Sequence, residues 1–472
     1  MSENMDRLDN LLNAKSIALI GASRDEKSVG YGILMNLTQG CAEKFYCNYS
    51  KPFQGSVFAV NPKADEILGK KCYKSILEIN EEIDLGIIAV PAPAVISIVK
   101  DCIKKKVRAL IVISSGFAEY NEEGKKMQKE ISEIVKKAGI PLVGPNCLGI
   151  LNPLNNMNAS FAPGIPPAGG ITFISQSGAL ADSIIDWSIE ERYGFRAIVT
   201  YGNKADVDET DFLEYFGQDK DTKAIALYVE GINNGRKFME VAKKVSKKKP
   251  VIILKSGRTE KGMHAVSSHT GSLAGSYEVY KAAFKQSGII IADTVEELFD
   301  IAITLSNQPA CGKNVGIITN AGGPGVLCAD YCETIGLNVV GIKESTLQKL
   351  EKTGLMHPAY SRANPLDIVG DALPERYEAA INTLMAEPYI DGIIVIQTLQ
   401  TMTDPLKDAE IVVAARKKFP DKPVLCVYMG GKFSKEGVRI LKENGVPDFN
   451  DLKKAVSAMK FLSERKEWID KK

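Results

Sequence analysis

Three histidines occur in this chain of 472 residues, so each can be weighed as a chemical group. His269 lies in Ser267-Ser268-His269-Thr270-Gly271-Ser272-Leu273-Ala274-Gly275. Small and polar residues there replace any amphipathic period, which predicts a flexible loop rather than a core position. Neutral imidazole is nucleophilic near pH 7 and phosphorylated imidazole is a good donor, so a histidine on a mobile loop suits phosphoryl relay. A solvated loop histidine is the alternative. A relay histidine gains from a carboxylate that fixes its tautomer. Glu230, at the end of the apolar run Ala224–Val229, is the candidate, against the plainer reading of a solvated strand-end acid. His264 reads as a surface residue and His357, just before Pro358, as a structural one.

Phosphate chemistry also needs anion sites. Three apolar runs each lead into small residues and then a helical pattern: SIALIGAS at Ser16–Ser23, ITFISQSGAL at Ile171–Leu180 and VGIITNAGGPGVL at Val315–Leu327. In a parallel α/β domain this loop is where ligands bind, because the helix N-terminus presents unpaired N–H groups and a partial positive charge. One such loop can equally be a tight structural turn; three in one chain favour phosphate handling. The candidate phosphate-binding residues are Ser175, Ser177, Gly178 and Ala179 in the second loop, and Gly322, Gly323 and Gly325 in the third, where glycines let backbone N–H groups approach an anion.

The first loop departs from the dinucleotide fingerprint, since Gly21 to Gly30 is too long a span for G-x-G-x-x-G. The second strand ends in Asn61-Pro62-Lys63, where a dinucleotide site would prefer an acid for the ribose. A lysine there favours an additional phosphate, as on NADP or coenzyme A, and Arg24 and Lys27 add positive charge; an ordinary exposed lysine is the alternative for Lys63. Gly21, Ser23, Arg24, Gly30, Asn61 and Lys63 are therefore cofactor-binding candidates. The strand ends at Pro91 and Ser114 would line the same crevice.

These residues must be positioned by a framework, and the sequence shows its outline. Short apolar runs alternate with amphipathic stretches such as Pro93–Lys104 and Glu122–Lys137. Runs without polar alternation indicate strands covered on both faces, hence parallel sheets with helices on each side. Three series of strands follow one another: Ser16–Ile20, Ser56–Val60, Leu85–Val90 and Ala109–Ile113; then Ile171–Ile174, Ala197–Thr200, Ala224–Val229 and Val251–Leu254; then Val315–Thr319, Leu337–Val340, Ile393–Ile396 and Val424–Tyr428. Pro/Gly/Asn-rich segments, Asn152–Gly170 and Ser306–Lys313, separate them. The expected fold is α/β, three doubly wound parallel-sheet domains over residues 1–150, 151–308 and 309–472, in keeping with about 150 residues per domain.

Composition narrows the class. Apolar residues at 45% and charged residues at 25% exclude global disorder. Lys plus Arg is 59 and Asp plus Glu 58, a net charge of +1, which gives no basic surplus for a nucleic-acid backbone. No apolar run reaches the ~20 residues of a membrane span, and MSENMDRLDNLL lacks the apolar stretch of a signal peptide. A cytoplasmic location is the default expectation. The 9 cysteines, with no C-x2-C pair, read as reduced, mostly buried thiols and not as a disulfide framework or a zinc or other metal site.

The order of domains and the motifs GAS…VG, VNPK, VPAP, SSGF and GPNCLG resemble the CoA-binding domain of the succinyl-CoA synthetase superfamily. Lys255–Ser276 (KSGRTEKGMHAVSSHTGSLAGS) resembles the phosphohistidine segment of nucleoside-diphosphate-forming acyl-CoA synthetases, in particular the alpha subunits of ADP-forming acetate–CoA ligases. The resemblance implies a Rossmann-like CoA-binding domain followed by two flavodoxin-like ligase domains. It implies His269 as the phosphorylated residue, Glu230 as its partner, Ser175–Ala179 as one helix end holding the phosphate and Asn320–Gly325 as the second. Asn364–Asp367 resembles the ligase domain's downstream motif. The implied reaction is acyl-CoA + ADP + phosphate ⇌ carboxylic acid + ATP + CoA, with acetyl-CoA the nearest case and acyl choice set near Asn146 and the Asn152–Gly170 loop. No G-x-x-x-x-G-K-[ST] motif is present. In the family an ATP-grasp module holds ADP/ATP and Mg²⁺, which implies a separate beta subunit and an α2β2 heterotetramer. The rival readings are a non-catalytic CoA-sensing regulatory protein and an NADP-linked dehydrogenase.

Overall fold

The computed structural model describes residues 3–41, 50–270 and 276–471; the side chains of 3–6 and 267–270 fall outside that description. The chain divides into two compact units, Met1–Leu298 and Phe299–Lys472.

The first unit holds two sheets. Its first sheet runs in the order Glu66–Ile67, Lys70–Tyr73, Ser56–Val60, Ser16–Ile20, Leu85–Ile88, Ala109–Val112, Leu142–Val143. All pairs are parallel except the short Glu66–Ile67/Lys70–Tyr73 hairpin. The apolar runs explain this, for Leu85–Ile88 and Ala109–Val112 are buried at every position, as strands covered on both faces must be. The chain leaves Ser16–Ile20 to build Ser56–Val60 on one side and returns to add Leu85–Ile88 on the other. That reversal opens a crevice beyond the strands' C-terminal ends.

The second sheet has the order Ile290–Ile291, Val251–Lys255, Ala224–Val229, Ala168–Ser175, Phe195–Thr200, Gly149–Asn152, Met157–Ser160. Its switch point falls at Ala168–Ser175, flanked by Phe195–Thr200 and Ala224–Val229. The last two strands are antiparallel and lie partly in the segment expected to be a mere separator. Polar Asn158 and Ser160 hide Met157–Ser160 from an apolar-run reading; both are fully buried because Asn158 donates to the Gly164 carbonyl and Ser160 Oγ to Asn158 Oδ1. One apolar core serves both sheets: Leu19, Ile87 and Ile111 of the first share a cluster with Ile174, Val199 and Leu227 of the second.

In the second unit the order is Asn338–Val339, Asn314–Thr319, Gly392–Thr398, Val424–Met429, with Leu366–Asp367 also pairing with Asn314–Thr319, all parallel. Its core is separate and includes Ile318, Leu384, Val395 and Cys426.

Two expectations need correction. The His269 segment is not a loop throughout: Glu260–Thr270 is helical. Thr259 starts it, its Oγ1 accepting the Gly262 N–H at 3.1 Å, and buried Val266 anchors it. Gly271–Gly275 lie outside the described residues. The cysteines are not all reduced either: Cys72, Cys102, Cys147, Cys311, Cys328, Cys332 and Cys426 are free and buried, whereas Cys41 is disulfide-bonded. No helix among the described residues is long and apolar enough to cross a membrane.

Candidate functional site

A cavity of about 620 Å³ opens in the first unit, where the C-terminal ends of its two sheets supply the walls. From the first sheet come Pro91 and Ser114. Ser114 is fixed from behind, its Oγ donating at 2.5 Å to the Val90 carbonyl. From the second come Ser177, Gly178, Ala179 and Glu230. Asn146 forms part of the floor.

Ser177 caps the helix Gly178–Glu191, accepting the Leu180 N–H at 3.3 Å. The first N–H groups beyond it have no intrahelical acceptor, so Gly178 and Ala179 offer donors and the positive end of a dipole to the cavity. A Cβ on Gly178 would stand 3.3 Å from Leu148 Cβ, a tight contact. Ser175 does not line the cavity. Its Oγ donates to the Ser177 carbonyl (2.7 Å) and accepts the Ser177 N–H (3.2 Å), closing the turn from strand to helix.

Glu230 is buried, with 5% of its surface exposed. Sequence reasoning missed what holds it. Gln176 Oε1 accepts the N–H groups of Glu230 (2.9 Å) and Gly231 (3.3 Å). Lys204 Nζ donates to the Gly231 carbonyl (2.5 Å) and pairs with Glu209 at 3.4 Å. That pair is sealed, and burial pushes the Glu209 carboxyl up to about 7 despite Lys204. Lys255, whose side chain is buried over the Tyr280 ring at 4.7 Å, is pushed down to about 8 by burial, with Glu230 opposing.

Asn146 sits in the left-handed region (φ 59°), its N–H bonded to the Ser114 carbonyl at 2.9 Å. Its side chain reaches Asn203 at 3.4 Å, and Asn203 donates to Gln128 (2.9 Å) and Glu119. Gly202 must be glycine, since a Cβ would lie 2.3 Å from the Asn146 carbonyl oxygen. Glu119 accepts the N–H groups of Gly116 (2.6 Å) and Phe117 (3.1 Å); although burial opposes ionisation, these bonds and Asn203 bring its carboxyl below the usual value. Asp182, one turn into the helix from Gly178, also lines the cavity and was not foreseen.

The remaining first-sheet candidates run along the same edge outside this cavity. Gly21 (φ 103°) turns the chain where a Cβ would strike the Ala89 carbonyl at 2.2 Å, and Gly30 admits the Gly21 carbonyl where a Cβ would lie 1.9 Å away. Ser23 Oγ accepts the Asp25 N–H at 3.1 Å. Asn61 ties the two loops together, donating to the Ala22 carbonyl (2.7 Å) and accepting the Lys63 N–H (2.7 Å). Arg24, anchored to the Glu66 carbonyl at 3.2 Å, and Lys63 are exposed. From the end of Ser56–Val60 to that of Ala109–Val112 is three strand spacings, roughly 15 Å, the run of an extended ligand from Lys63 past Gly21 to Pro91 and Ser114.

The second unit repeats the construction of the second sheet's loop. Thr319 Oγ1 donates to the Ala321 carbonyl (2.8 Å) and accepts its N–H (3.0 Å), as Ser175 does for Ser177. Asn320 Oδ1 accepts the Thr398 N–H (2.8 Å) from the neighbouring strand, as Gln176 does at Glu230. Gly322, Gly323 and Gly325 open the helix Gly322–Thr334. Gly323 is open to the surroundings, and Gly325 packs close to Pro365, a cis residue after Asn364. A Cβ on Gly322 would lie 3.1 Å from Asp367 Oδ2, so this helix end already faces one carboxylate.

His269 stands at the end of its helix, its side chain outside the described residues. His264 is exposed, and His357 Nδ1 accepts the Ala359 N–H at 3.0 Å in a turn. Among the described residues no group of three or more His, Cys, Asp or Glu is placed to hold a metal ion.

Comparison with known proteins agrees with this layout. Residues 15–153 match the CoA binding domain family, 168–305 the succinyl-CoA ligase like flavodoxin domain and 315–469 the Ligase-CoA domain. The chain is 44% identical to acetate–CoA ligase [ADP-forming] I of Archaeoglobus fulgidus over 96% of its own length, and spans 63% of that relative. It is 42% identical to the alpha subunit of acetate–CoA ligase [ADP-forming] II of Pyrococcus furiosus, covering 94% of each chain. A solved acetyl-coenzyme A synthetase 1 from Candidatus Korarchaeum cryptofilum, in complex with phosphate and ADP, superposes with a TM-score of 0.90 at 36% identity over 98% of both chains. With three matched domains in this order and 94% of a relative's alpha subunit covered, the chain belongs to the ADP-forming acetate–CoA ligase family.

Proposed function

We propose that this chain carries the thioester and phosphohistidine half of a reversible ligation: acyl-CoA + ADP + phosphate ⇌ carboxylic acid + ATP + CoA. The observation that carries the reading is the shared cavity, in which Pro91 and Ser114 of the CoA-type sheet face Glu230 and the Gly178–Ala179 helix end.

CoA lies along the first sheet's edge, its adenosine-end phosphates near Lys63 and Arg24 and its thioester at Pro91 and Ser114. Phosphate at the Gly178 helix end attacks the thioester carbonyl; the C–S bond breaks and CoA thiolate leaves. The acyl phosphate then yields its phosphoryl group to His269, the P–O bond breaks and the carboxylate departs. Glu230 orients the imidazole and balances the charge it gains. Catalysis rests on positioning and on fixed dipoles aimed at phosphoryl oxygens. Such a site needs no basic surface, in keeping with a net charge of +1.

The last transfer, to ADP, is assigned to a separate ATP-grasp beta subunit that holds Mg²⁺ and nucleotide, in an α2β2 assembly. The Gly322–Gly325 helix end is assigned to phosphate as well. Incubation with the beta subunit, labelled ATP and Mg²⁺ should place acid-labile label on His269. Absence of label, or unchanged label in His269→Ala, would overturn the mechanism.

A further inference from the structure

The relatives above share a CoA and phosphate framework, but that framework does not choose the acyl group. On the reading above the acyl group lies in the cavity, and one wall of that cavity carries a carboxylate without a protein partner. Asp182 lies four residues after Gly178 and three after Ala179, so all three share one helix face, and all three line the cavity. Its carboxyl makes no hydrogen bond among the described residues; Oδ1 is closed off without a partner, which leaves Oδ2 as the oxygen free to face the cavity.

The surroundings offer no remedy. The titratable groups lining the cavity besides Asp182 are Cys147 and Glu230, and neither is a cation. Cys147 is engaged, its Sγ donating to the Val112 carbonyl at 3.4 Å, and burial raises it to about 12. The helix bearing Asp182 packs on the strands Ala168–Ser175 and Phe195–Thr200. Their one charged side chain, Arg196, is paired with Asp219 at 3.0 Å. Burial alone, with no compensating donor, pushes the Asp182 carboxyl up to about 6. A half-buried acceptor of this kind is left to water or to a donor that the ligand brings.

We propose that Asp182 is a specificity-determining residue that accepts a hydrogen bond from a hydroxyl group on the acyl chain, so that the preferred acids are short hydroxy acids rather than their unsubstituted parents. Acetate, which has no such donor, is accepted less well. The proposal rests on the reading of this cavity as the thioester site. The physical basis is the asymmetry of polar recognition: a site with a buried polar group rejects the analogue that leaves it unpaired far more strongly than an apolar site rejects an added hydroxyl.

The test uses the alpha chain assembled with its beta subunit and measures thioester formation from glycolate, 3-hydroxypropionate and 4-hydroxybutyrate, each against the unsubstituted acid of equal length. Wild type should favour at least one hydroxy acid about tenfold or more in kcat/KM. Asp182→Val should abolish that ratio by lowering kcat/KM for the hydroxy acid while the parent acid is unchanged or improved. Asp182→Asn keeps the shape and one acceptor oxygen, and should lose part of the ratio. Ratios that stay within about twofold of wild type in both variants would overturn the role of Asp182. No thioester from any acid in wild type would overturn the thioester-site reading itself, a distinct outcome.

Discussion

The side-chain oxygen of Gln176 accepts the backbone N–H of Glu230 at 2.9 Å and that of Gly231 at 3.3 Å. A residue between the turn-closing serine and the helix cap thus fixes the strand end that carries the candidate histidine partner. The candidate anion-binding turn and the carboxylate are tied together by one amide group.

Gln176→Ala should therefore damage phosphorylation without touching the phosphate. It leaves two backbone donors unpaired, each costing about 1–3 kcal/mol, so histidine phosphorylation should slow by about tenfold to a hundredfold. Combined with Glu230→Ala, the second substitution should add little, because the two act as a unit. Additive losses in the rate of label incorporation would refute the coupling.

Lys63 tests the direction of CoA along the first sheet. It is exposed, so its electrostatic effect is screened. Lys63→Glu should weaken CoA binding about threefold to tenfold at low salt, and the difference should shrink at 0.5 M salt. Phosphate binding should not change. Equal losses for both ligands in titration calorimetry would place Lys63 elsewhere.

Asp408 makes a pH prediction for the second unit. Burial pushes its carboxyl up to about 7, opposed by Gln397, whose Nε2 donates to Asp408 Oδ2. Oδ1 has no partner. Because the native state holds this proton more tightly than the unfolded chain, stability falls as pH rises from about 4 towards 7, and is flat beyond. Between pH 5 and pH 8 wild type should lose on the order of 2 kcal/mol more than Asp408→Asn does. Urea unfolding of the full chain at the two pH values checks this; equal pH slopes would exclude Asp408 as the cause.

Much of this could be read from the residues alone, for identifiable reasons. Ser16–Ile20 and Ala224–Val229 were legible to the residue because strands buried on both faces need unbroken apolar runs, and Ser56–Val60 matched although only its last two residues are buried. The small residues at Ser177–Ala179 and the strand-end Glu230 were legible because helix ends and sheet edges have fixed chemistry. Met157–Ser160 was not, since its buried polar side chains are satisfied by partners that only the fold brings near. Gln176 and Asp182 escaped for the same reason: their types are ordinary, and only burial and direction make them informative. The helical form of Glu260–Thr270 was hidden by its Ser and Gly content, which outweighed the cap at Thr259 and the anchor at Val266.

The apolar core that Leu19 and Ile111 share with Val199 and Leu227 has a consequence for how such a protein can change. Two domain families meet in it, and although the first sheet keeps a second core on its other face, neither family can be taken away with this one intact. A cassette cut between them would expose the side chains that hold both together. Recombination can pass this chain on in pieces only where its cores are separate. A methyl group added to that layer beneath the first sheet is felt beneath the second. The two sheets can drift only together on the faces that share it.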